Sequence, residues 1–456
     1  MRSEIAAELN LSIQKDAEQP IPVQLTAEIR KLVARGTLTP GDPIPSTRAL
    51  AAQLGVARGT VVAAYEQLQG EGYLISERGS GTCINPHLHP VQPTPPPSKK
   101  PKAHKSLLPL SPGAPDTSTL VDPTWRAAWR EAASQTRALP AAGAYELREE
   151  ISHHVRHMRG LVAEPERIII ASGAREGLMV LLHALGPQLK VGVESPGYPS
   201  LRKIPGLLGH RLQEVGTDEH GIRTDQLGHM DALIVTPSHQ YPTGGSLPAQ
   251  RRTALAEWAC RRNTLLIEDD YDSELRYAGQ PLPALAALAP NNTALLGTFS
   301  TLISPSIACG YIVMPPDLVE AGLRVRELLS QPAGTITQIA LARYMASGAL
   351  RRRTQRLRRL YAKRRDIVTE ELSGLAHATL RPIHGGLHAV VLCERDAHEV
   401  VRACAAQGLG VTALSEHWGG SGVSDNGVVF GFGAHSDEEL RRALRILAGE
   451  LRIPPA

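Results

Sequence analysis

Residues 296–313 read LGTFSTLISPSIACGYIV, in which two short apolar runs flank a polar loop. The runs, Ala294–Phe299 and Gly310–Met314, have the length and residue types of β-strands. Four similar runs lie upstream with helical stretches between them: Arg167–Ala171, Lys190–Glu194, Ala232–Thr236 and Thr264–Ile267. Short apolar strands that alternate with helices predict an α/β fold around a largely parallel central sheet.

The composition is that of a folded chain of 456 residues, with 42% hydrophobic and 21% charged residues. This length suits about three domains, or one large enzyme-like fold with a small module. Five scattered cysteines without a CxxC pair argue against a disulfide framework or a metal site and fit a reducing cytosol. No uninterrupted apolar stretch approaches about 18 residues, so we expect a cytoplasmic protein without a membrane span.

Proline marks the domain organisation. Residues 86–115 contain ten prolines, which disfavour helix and central strand and predict a semi-extended linker. We therefore predict an N-terminal domain at 1–85, a Pro/Lys-rich linker at 86–110 and a large C-terminal domain at 111–456. Only three lysines, Lys190, Lys203 and Lys363, follow residue 105. Codon bias explains this scarcity, but it limits any chemistry that needs an amine.

The N-terminal block has the pattern of three helices followed by a hairpin. Helical periodicity covers Val23–Ala34, Thr47–Leu54 and Ala57–Gln69, with Ser46 as a plausible N-cap. The segment YLISERGSGTCI reads as two short strands around a glycine-containing turn. Two short helices joined at Gly55 match a helix-turn-helix.

The strings GTLTPGDPIPSTRALAAQLGVARGTV, AYEQL, EGYL and RGSGT, in this order, resemble the winged helix-turn-helix of the GntR family. The resemblance implies binding to double-stranded operator DNA. It assigns DNA contacts to Ser46, Arg48, Arg58, Thr60 and Gly79. Arginine suits this role because its planar fork binds guanine or phosphate bidentately. The alternative is that Arg48 and Arg58 are merely solvated.

The C-terminal strings IIASGAREGL, VESPGYPSLR, VTPSHQYPTG and LIEDDYDSELRY precede the opening stretch in an order that resembles fold-type I aminotransferases. Behind a GntR-like domain and a linker, they resemble the MocR/GabR-type branch of GntR regulators. The resemblance implies a pyridoxal phosphate (PLP) site. Its residues would be Gly173, Ala174, Arg175, Tyr198, Tyr241, Asp269, Tyr271, Ser300 and Thr301.

In that site the loop at Gly173 would bind phosphate at a helix N-terminus, Tyr198 would stack on the pyridine ring and Asp269 would pair with its nitrogen. Tyr271, with Tyr241 close by, would bond the ring's phenolic oxygen, and Ser300 would add a phosphate contact. The alternatives are purely structural: ordinary packing for the tyrosines and an N-cap or ion-pair role for Asp269.

The residues that depart from the aminotransferase strings change the chemistry that the predicted site could support. Thr301 stands where the Schiff-base lysine is expected, and a hydroxyl cannot form an imine. Ala308 replaces the phosphate-binding arginine, and Leu139 replaces a tyrosine that helps the partner subunit's phosphate. We therefore predict no catalytic residue and PLP binding only without a covalent bond. A different small ligand and an empty scaffold remain open.

The sequence thus predicts a homodimeric DNA-binding transcriptional regulator with a catalytically inactive aminotransferase-like domain and an unknown small-molecule effector. One alternative is a PLP-dependent aminotransferase with an appended DNA-binding domain. Another is an architectural DNA-binding protein without an effector. The basic stretch 351–365, RRRTQRLRRLYAKRR, is either a solvated helix with ion pairs or a face that contacts DNA phosphates.

Overall fold

The computed structural model of the chain describes residues 11, 13–14, 17, 19–77, 81–88, 107–277, 282–419 and 425–455. The chain divides into two compact units, residues 1–103 and 104–456. Residues Leu108–Pro109, at the end of the predicted 86–110 linker, form a short strand that pairs in parallel with Leu409–Gly410. The described part of the larger unit thus includes residues 107–110, which lie before the predicted domain boundary at 111.

The smaller unit consists of three helices and a two-stranded hairpin. The helices are α1 (Ile21–Ala34), α2 (Thr47–Leu54) and α3 (Arg58–Gly70), and the antiparallel strands are β1 (Leu74–Glu77) and β2 (Gly81–Ile84). The three predicted helices are confirmed to within two residues at each end. The Ser46 hydroxyl accepts a hydrogen bond from the backbone N–H of Ala49 at 3.2 Å, and Gly55 ends α2 with a φ of 61°.

One apolar core holds these elements together. Leu25 and Ile29 of α1, Leu50 of α2 and Val61 of α3 have 0% exposed surface. The buried Tyr65 hydroxyl donates a hydrogen bond to the Pro45 carbonyl at 2.9 Å, which fixes α3 to the segment preceding α2. This packing holds the α2–α3 pair at a fixed angle, as a helix-turn-helix requires.

The larger unit is built on a sheet in which the described residues form eight strands, in the order β4-β11-β10-β9-β8-β5-β6-β7. These are β4 (Ile168–Ala171), β5 (Lys190–Ser195), β6 (Arg211–Asp218), β7 (Gly221–Ile222), β8 (Ala232–Val235), β9 (Leu265–Asp270), β10 (Thr293–Thr298) and β11 (Gly310–Val313). Strands β10, β9, β8, β5 and β6 run parallel, whereas β11 and β7 are antiparallel to their neighbours. The predicted α/β fold with a mostly parallel sheet is confirmed.

Helices follow most strands. They are α4 (Pro123–Ala133), α5 (Tyr145–Arg159), α6 (Ala174–Leu185), α7 (Pro199–Leu207), α8 (Ala249–Arg262), α9 (Leu285–Leu288), α10 (Val319–Leu329) and α11 (Thr335–Ala346). The long α12 (Ala349–Leu372) then leads to a smaller antiparallel sheet. In the described parts of the chain, no helix combines the length and the apolar character needed to cross a bilayer.

The smaller sheet has the order β12-β13-β16-β15. Its strands are β12 (Ala378–Leu380), β13 (His388–Cys393), β15 (Thr412–Ala413) and β16 (Gly427–Gly431). Strand β3 (Leu108–Pro109) pairs with β14 (Leu409–Gly410), and helices α13 (Ala397–Ala406) and α14 (Asp437–Leu451) complete this part. Ser436 and Glu439 form a capping box at the start of α14.

Helix α12 carries the basic stretch 351–365, and two of its arginines are buried. Arg353 donates to the carbonyls of Leu302 and Asp116 at 2.6 and 2.5 Å. Arg364 pairs with the carboxylate of Asp116 at 2.7 Å. These guanidinium groups therefore tie α12 to the residues that precede α4. Other basic residues of the helix are exposed: Arg351, Arg352, Arg356, Arg359 and Lys363.

A buried arginine also anchors the end of α5 beneath the main sheet. Arg159 is 1% exposed and lies 3.1 Å from a Glu268 carboxylate oxygen and 2.9 Å from an Asp270 carboxylate oxygen. Both acids lie on β9, the central strand that also carries Asp269. Charges in such a place require close partners, because an unpaired buried ion is costly. Arg159 thus pairs with two carboxylates of β9 and does not pair with that of Asp269.

Candidate DNA-binding surface and cofactor-like pocket

The predicted DNA contacts in α2 and α3 lie on the surface of the smaller unit. Arg48 is exposed in the first turn of α2, and Arg58 is exposed as the first residue of α3. Thr60 is half-buried in the same turn of α3. Ser46 is exposed, but its hydroxyl already caps α2. Gly79 lies outside the described residues.

The N-terminus of α3 lacks a side-chain cap. Ala57 occupies the N-cap position with extended backbone, and its side chain offers no hydrogen-bond acceptor. The first N–H groups of a helix are a favourable place for an anion such as a DNA phosphate. Arg58 and Thr60 flank this position and could supply further donors.

In the larger unit, the predicted pocket residues follow the carboxyl ends of parallel strands. Tyr198 follows β5, Tyr241 follows β8, Asp269 and Tyr271 lie at the end of β9, and Ser300 follows β10. Because parallel strands end at the same edge of a sheet, these residues are brought together. This edge is where open α/β sheets bind their ligands.

Asp269 is the most unusual group at this edge. It is 5% exposed, and its Oδ1 atom is buried without a hydrogen-bond partner. Burial raises the pKa of its carboxyl well above the ordinary value, and the nearby acids Asp270, Asp272 and Glu194 raise it further. An unpaired buried carboxylate is suited to a cationic partner, such as a protonated ring nitrogen.

A small cavity connects Asp269 with Tyr198, Glu194 and Thr236. Glu194, on β5, accepts a hydrogen bond from the Thr236 backbone N–H at 3.2 Å and another from the Thr236 hydroxyl. Burial raises the pKa of Glu194 to about 7, although its bonds with Thr236 lower it. The cavity thus has two acids and one aromatic wall. The motif VESPGYP contains Glu194, but sequence reasoning did not select it.

The three predicted tyrosines have different surroundings. The rings of Tyr198 and Tyr241 meet edge to face at 5.2 Å, and Tyr241 is 7% exposed. The Tyr241 hydroxyl lies 3.2 Å from His417 Nε2. The Tyr271 hydroxyl donates to the His239 carbonyl at 2.9 Å. Burial raises the pKa of both Tyr241 and Tyr271, so their hydroxyl groups stay protonated and can donate hydrogen bonds.

Behind Tyr271 lies a buried cluster that sequence reasoning missed, formed by His239, Asp272 and His388. Their potential ligand atoms lie within 4.8 Å of one another, so the set could hold a metal ion. His239 Nδ1 lies 2.9 Å from an Asp272 carboxylate oxygen. His388 Nε2 donates to the Pro242 carbonyl at 3.1 Å, and burial lowers the pKa of His388 well below its ordinary value. His239 could have been noticed in the sequence because it lies in the string HQYPTG. His388 could not, because it lies in an apolar strand.

The predicted phosphate loop opens α6, as the sequence indicates. Gly173 is the N-cap, with a φ of 141°, and Ala174 begins the helix. Arg175 is exposed. In the same turn Glu176 accepts a hydrogen bond from the Ser172 backbone N–H at 3.2 Å and pairs with the buried Arg326. A carboxylate therefore occupies part of this helix N-terminus.

Thr301 occupies the position of the expected lysine and is 6% exposed. Its hydroxyl donates a hydrogen bond to the Tyr271 carbonyl. The Ser300 backbone N–H donates to the Thr298 hydroxyl at 3.1 Å. Ala308 ends a short 3₁₀ turn with a φ of 47°. This loop therefore offers neither an amine nor a guanidinium to a ligand.

The site therefore has two ends with different chemistry. At the ring end, Asp269, Tyr198 and the tyrosine hydroxyls suit a protonated heteroaromatic ring. At the phosphate end, Thr301 and Ala308 supply no positive charge, and Leu139 is half-buried against the main core. The residues present suit the ring of PLP, but residue 301 provides no amine for a covalent attachment and residue 308 provides no arginine for the phosphate.

The raised pKa of Glu194 predicts a pH-dependent stability. An unfolded glutamate ionises near 4.5, whereas Glu194 in the folded chain ionises near 7. Between these values the folded state binds more protons, so the free energy of unfolding falls as pH rises from about 4.5 to about 7. Glu194→Gln should reduce this pH-dependent decrease in the free energy of unfolding by up to about 3 kcal/mol. The raised pKa of Asp269 causes a decrease of the same sign, which this variant keeps.

Urea unfolding of the wild type and Glu194→Gln across this pH range measures the effect. Glu257→Gln, an exposed glutamate on α8, is the matched control and should keep the wild-type pH dependence. Identical pH profiles for the wild type and Glu194→Gln would show that Glu194 titrates normally.

Comparison with known proteins finds a matching family for each of the two units. Residues 23–84 match the family described as "Bacterial regulatory proteins, gntR family", and residues 105–447 match "Aminotransferase class I and II". Among solved structures, an archaeal alanine:glyoxylate aminotransferase has a TM-score of 0.70 at 24% identity, covering 76% of this chain and 91% of that chain. This likeness confirms the fold-type I aminotransferase fold.

Curated relatives share both units. The HTH-type pyridoxine biosynthesis transcriptional regulator PdxR of Corynebacterium glutamicum is 57% identical over 444 residues, covering 96% of this chain and 97% of the relative. The probable rhizopine catabolism regulatory protein MocR of Rhizobium meliloti is 28% identical over 468 residues, with coverage of 96% and 95%. The chain therefore belongs to the MocR/GabR-type branch of the GntR family of transcriptional regulators, in which a GntR DNA-binding domain precedes an aminotransferase-like domain.

Proposed function

We propose that this transcriptional regulator has a degenerate PLP site, which binds a vitamin B6-type ring without a covalent bond and catalyses no transamination. The single observation that carries the proposal is the contrast between Asp269 and Thr301. Asp269 retains a buried, unpartnered carboxylate for a ring nitrogen. Thr301, at the position of the Schiff-base lysine, has a hydroxyl that already bonds the Tyr271 carbonyl.

The ring would lie between Tyr198 and the end of β9. Asp269 would pair with the protonated nitrogen, and the Tyr271 hydroxyl would exchange its bond with the His239 carbonyl for one with the phenolic oxygen. PLP, when bound in an enzyme, supplies an electron-withdrawing ring to amino acid chemistry. Here the same residues would use the ring for recognition, so that ligand binding biases the conformation of the regulator.

The name of a relative supports the choice of ligand. The PdxR protein that is 57% identical to this chain is named a regulator of pyridoxine biosynthesis. Pyridoxine has the same 3-hydroxypyridine ring that Asp269 and the tyrosines would recognise. We therefore propose that the regulated genes serve the synthesis or supply of vitamin B6.

For DNA recognition we propose residues 1–85 as the binding domain, 86–110 as the linker, and 111–456 as the effector and dimerisation domain. Ser46, Arg48, Arg58, Thr60 and Gly79 are the proposed contacts. A homodimer would present two helix-turn-helix units to paired half-sites. The exposed apolar residues Leu328, Leu329 and Ile336, at the junction of α10 and α11, support the presence of a protein interface on the larger unit.

An active aminotransferase is the competing function, and it would need another lysine. Lys203 on α7 is exposed, and Lys363 pairs with Asp437 at 2.6 Å. Lys190 begins β5 and is exposed at the amino end of that strand. The pocket lies at the carboxyl end, roughly 17 Å away for a six-residue strand. These positions favour a site without an imine.

Borohydride reduction separates the two functions. Purified full-length protein is mixed with PLP, reduced with borohydride and analysed by peptide mass spectrometry. We expect no stoichiometric lysine adduct, because the site lacks an amine at residue 301. A single stoichiometric adduct at Lys190, Lys203 or Lys363 would contradict the proposal.

The DNA-binding assignment predicts a specific loss. Arg58→Ala should weaken operator binding by tenfold or more, since one bidentate base contact contributes about 1–3 kcal/mol of discrimination. Binding is measured by fluorescence anisotropy with the promoter DNA of the regulated gene. Arg324→Ala, an exposed arginine on α10, is the control and should bind as the wild type. Unchanged affinity of a folded Arg58→Ala protein would refute the assignment.

A further inference from the structure

Three buried side chains that the proposed function does not use come together where the two sheets of the larger unit meet. His239 follows β8, Asp272 follows β9, and His388 begins β13 of the smaller sheet. They are 8%, 4% and 3% exposed. One ring nitrogen of each histidine and one Asp272 oxygen lie within 4.8 Å of one another. Imidazoles and a carboxylate are ligands that zinc sites in proteins use.

His388 has a ring nitrogen without a hydrogen-bond partner. Its Nε2 atom lies 3.1 Å from the Pro242 carbonyl oxygen and donates to it, so Nδ1 keeps a free lone pair. This Nδ1 atom is buried and has no hydrogen-bond partner among the described residues. Histidines that bind a metal usually donate their other ring nitrogen to a carbonyl or a carboxylate, which fixes the tautomer. The free Nδ1 is therefore an observation, separate from the spacing, that points to a cation.

His239 and Asp272 already have nearly the spacing of two metal ligands. The His239 Nδ1 atom lies 3.0 Å and 2.9 Å from the two Asp272 carboxylate oxygens. Ligand atoms around a tetrahedral zinc ion are about 3.3 Å apart, so this pair has to open by only a few tenths of an ångström. A bound ion would replace the proton between Nδ1 and the carboxylate, and the His239 ring would carry its proton on Nε2 instead.

Gly386 lets the backbone approach this pair. A Cβ atom at residue 386 would overlap the Asp272 Oδ2 atom and the His239 ring, and the φ of 76° also favours glycine. The chain then enters β13, and His388 follows two residues later. Its ring centroid lies 5.0 Å from that of His239. The glycine thus accounts for how a residue of the smaller sheet reaches two residues of the main sheet.

We propose that His239, Asp272 and His388 bind a zinc ion that fastens the smaller sheet to the edge of the main sheet. Imidazole ligands favour Zn²⁺ over Mg²⁺ and Ca²⁺, which prefer oxygen ligands. The site contains no cysteine, so the scattered cysteines do not bear on it. The Tyr271 hydroxyl lies 3.0 Å from His239 Nδ1, so the ion would lie beside the ring pocket. Zinc binding and ring binding are separate claims, and either can fail without the other.

Zinc content of the full-length protein tests the proposal. Protein stripped with a chelator is dialysed against ZnCl₂ in the presence of excess Mg²⁺, and its metal content is measured by elemental mass spectrometry. We expect one zinc ion per chain and a higher melting temperature than that of the stripped protein. Protein that retains no zinc after this treatment would overturn the proposal.

Cobalt identifies the type of ligand. Co²⁺ in place of zinc should give the visible spectrum of a tetrahedral site with nitrogen and oxygen ligands. A thiolate-to-cobalt charge-transfer band would place the ion on cysteine and overturn the assigned ligands.

Asp272→Asn and His388→Gln test the ligands themselves. Each removes one ligand and keeps a polar side chain, so the affinity for zinc should fall at least about a hundredfold. His157→Gln is the control, because exposed His157 lies four residues after exposed His153 on α5, where two histidines could bind zinc adventitiously. It should bind zinc as the wild type does.

Two results would overturn the assigned site. One is wild-type zinc affinity in a folded Asp272→Asn or His388→Gln protein, and the other is loss of the bound zinc in His157→Gln. The zinc content and the cobalt spectrum of the wild type decide the proposal even if neither ligand variant folds.

Discussion

The carboxylate of Asp269 is the constraint on which the account of this protein depends. It is buried at the carboxyl end of β9 beside other acids, and one of its oxygens has no partner. An arrangement of this kind costs free energy in the absence of a ligand, because a buried carboxylate must remain uncompensated or take up a proton. Arg159 pairs with Glu268 and Asp270 on either side but does not pair with Asp269. The fold thus leaves the Asp269 carboxylate unpaired at the position where a ligand would supply the balancing charge.

The opposite end of the pocket lacks an amine at residue 301 and a guanidinium at residue 308. Thr301 and Ala308 carry no charge, and the Glu176 carboxylate at the N-terminus of α6 is paired with Arg326. These changes leave the scaffold intact, since the sheet order and the elements around the pocket are those of an aminotransferase fold. A regulator needs a ligand to bind and to shift a conformational equilibrium, and it does not need covalent chemistry. The presence of the ring-end residues together with the absence of a lysine at residue 301 is consistent with that requirement.

Much of the fold could be predicted because its signals are local. Ser46 and Gly55 mark both ends of α2, and the strands on either side of the 296–313 loop are continuous apolar runs. Strand β6 (Arg211–Asp218), next to the short edge strand β7, was missed because its sequence, RLQEVGTD, is mostly polar. Among the pocket residues, Tyr198, Asp269 and Thr301 lie in recognisable strings. The ion pair of Glu176 could not be identified in this way, since its partner Arg326 lies 150 residues later in the chain. His388 likewise gains its neighbours only when β13 packs beside His239.

The most direct test of the central claim is a calorimetric titration of Asp269→Asn with pyridoxine. The substitution keeps the size of the side chain and removes the charge that would pair with the ring nitrogen. We expect the affinity to fall at least about tenfold, while the free protein becomes no less stable because a buried ionisable group is gone. Pyridoxine binding to Asp269→Asn with wild-type affinity would contradict the claim that this carboxylate recognises the ring.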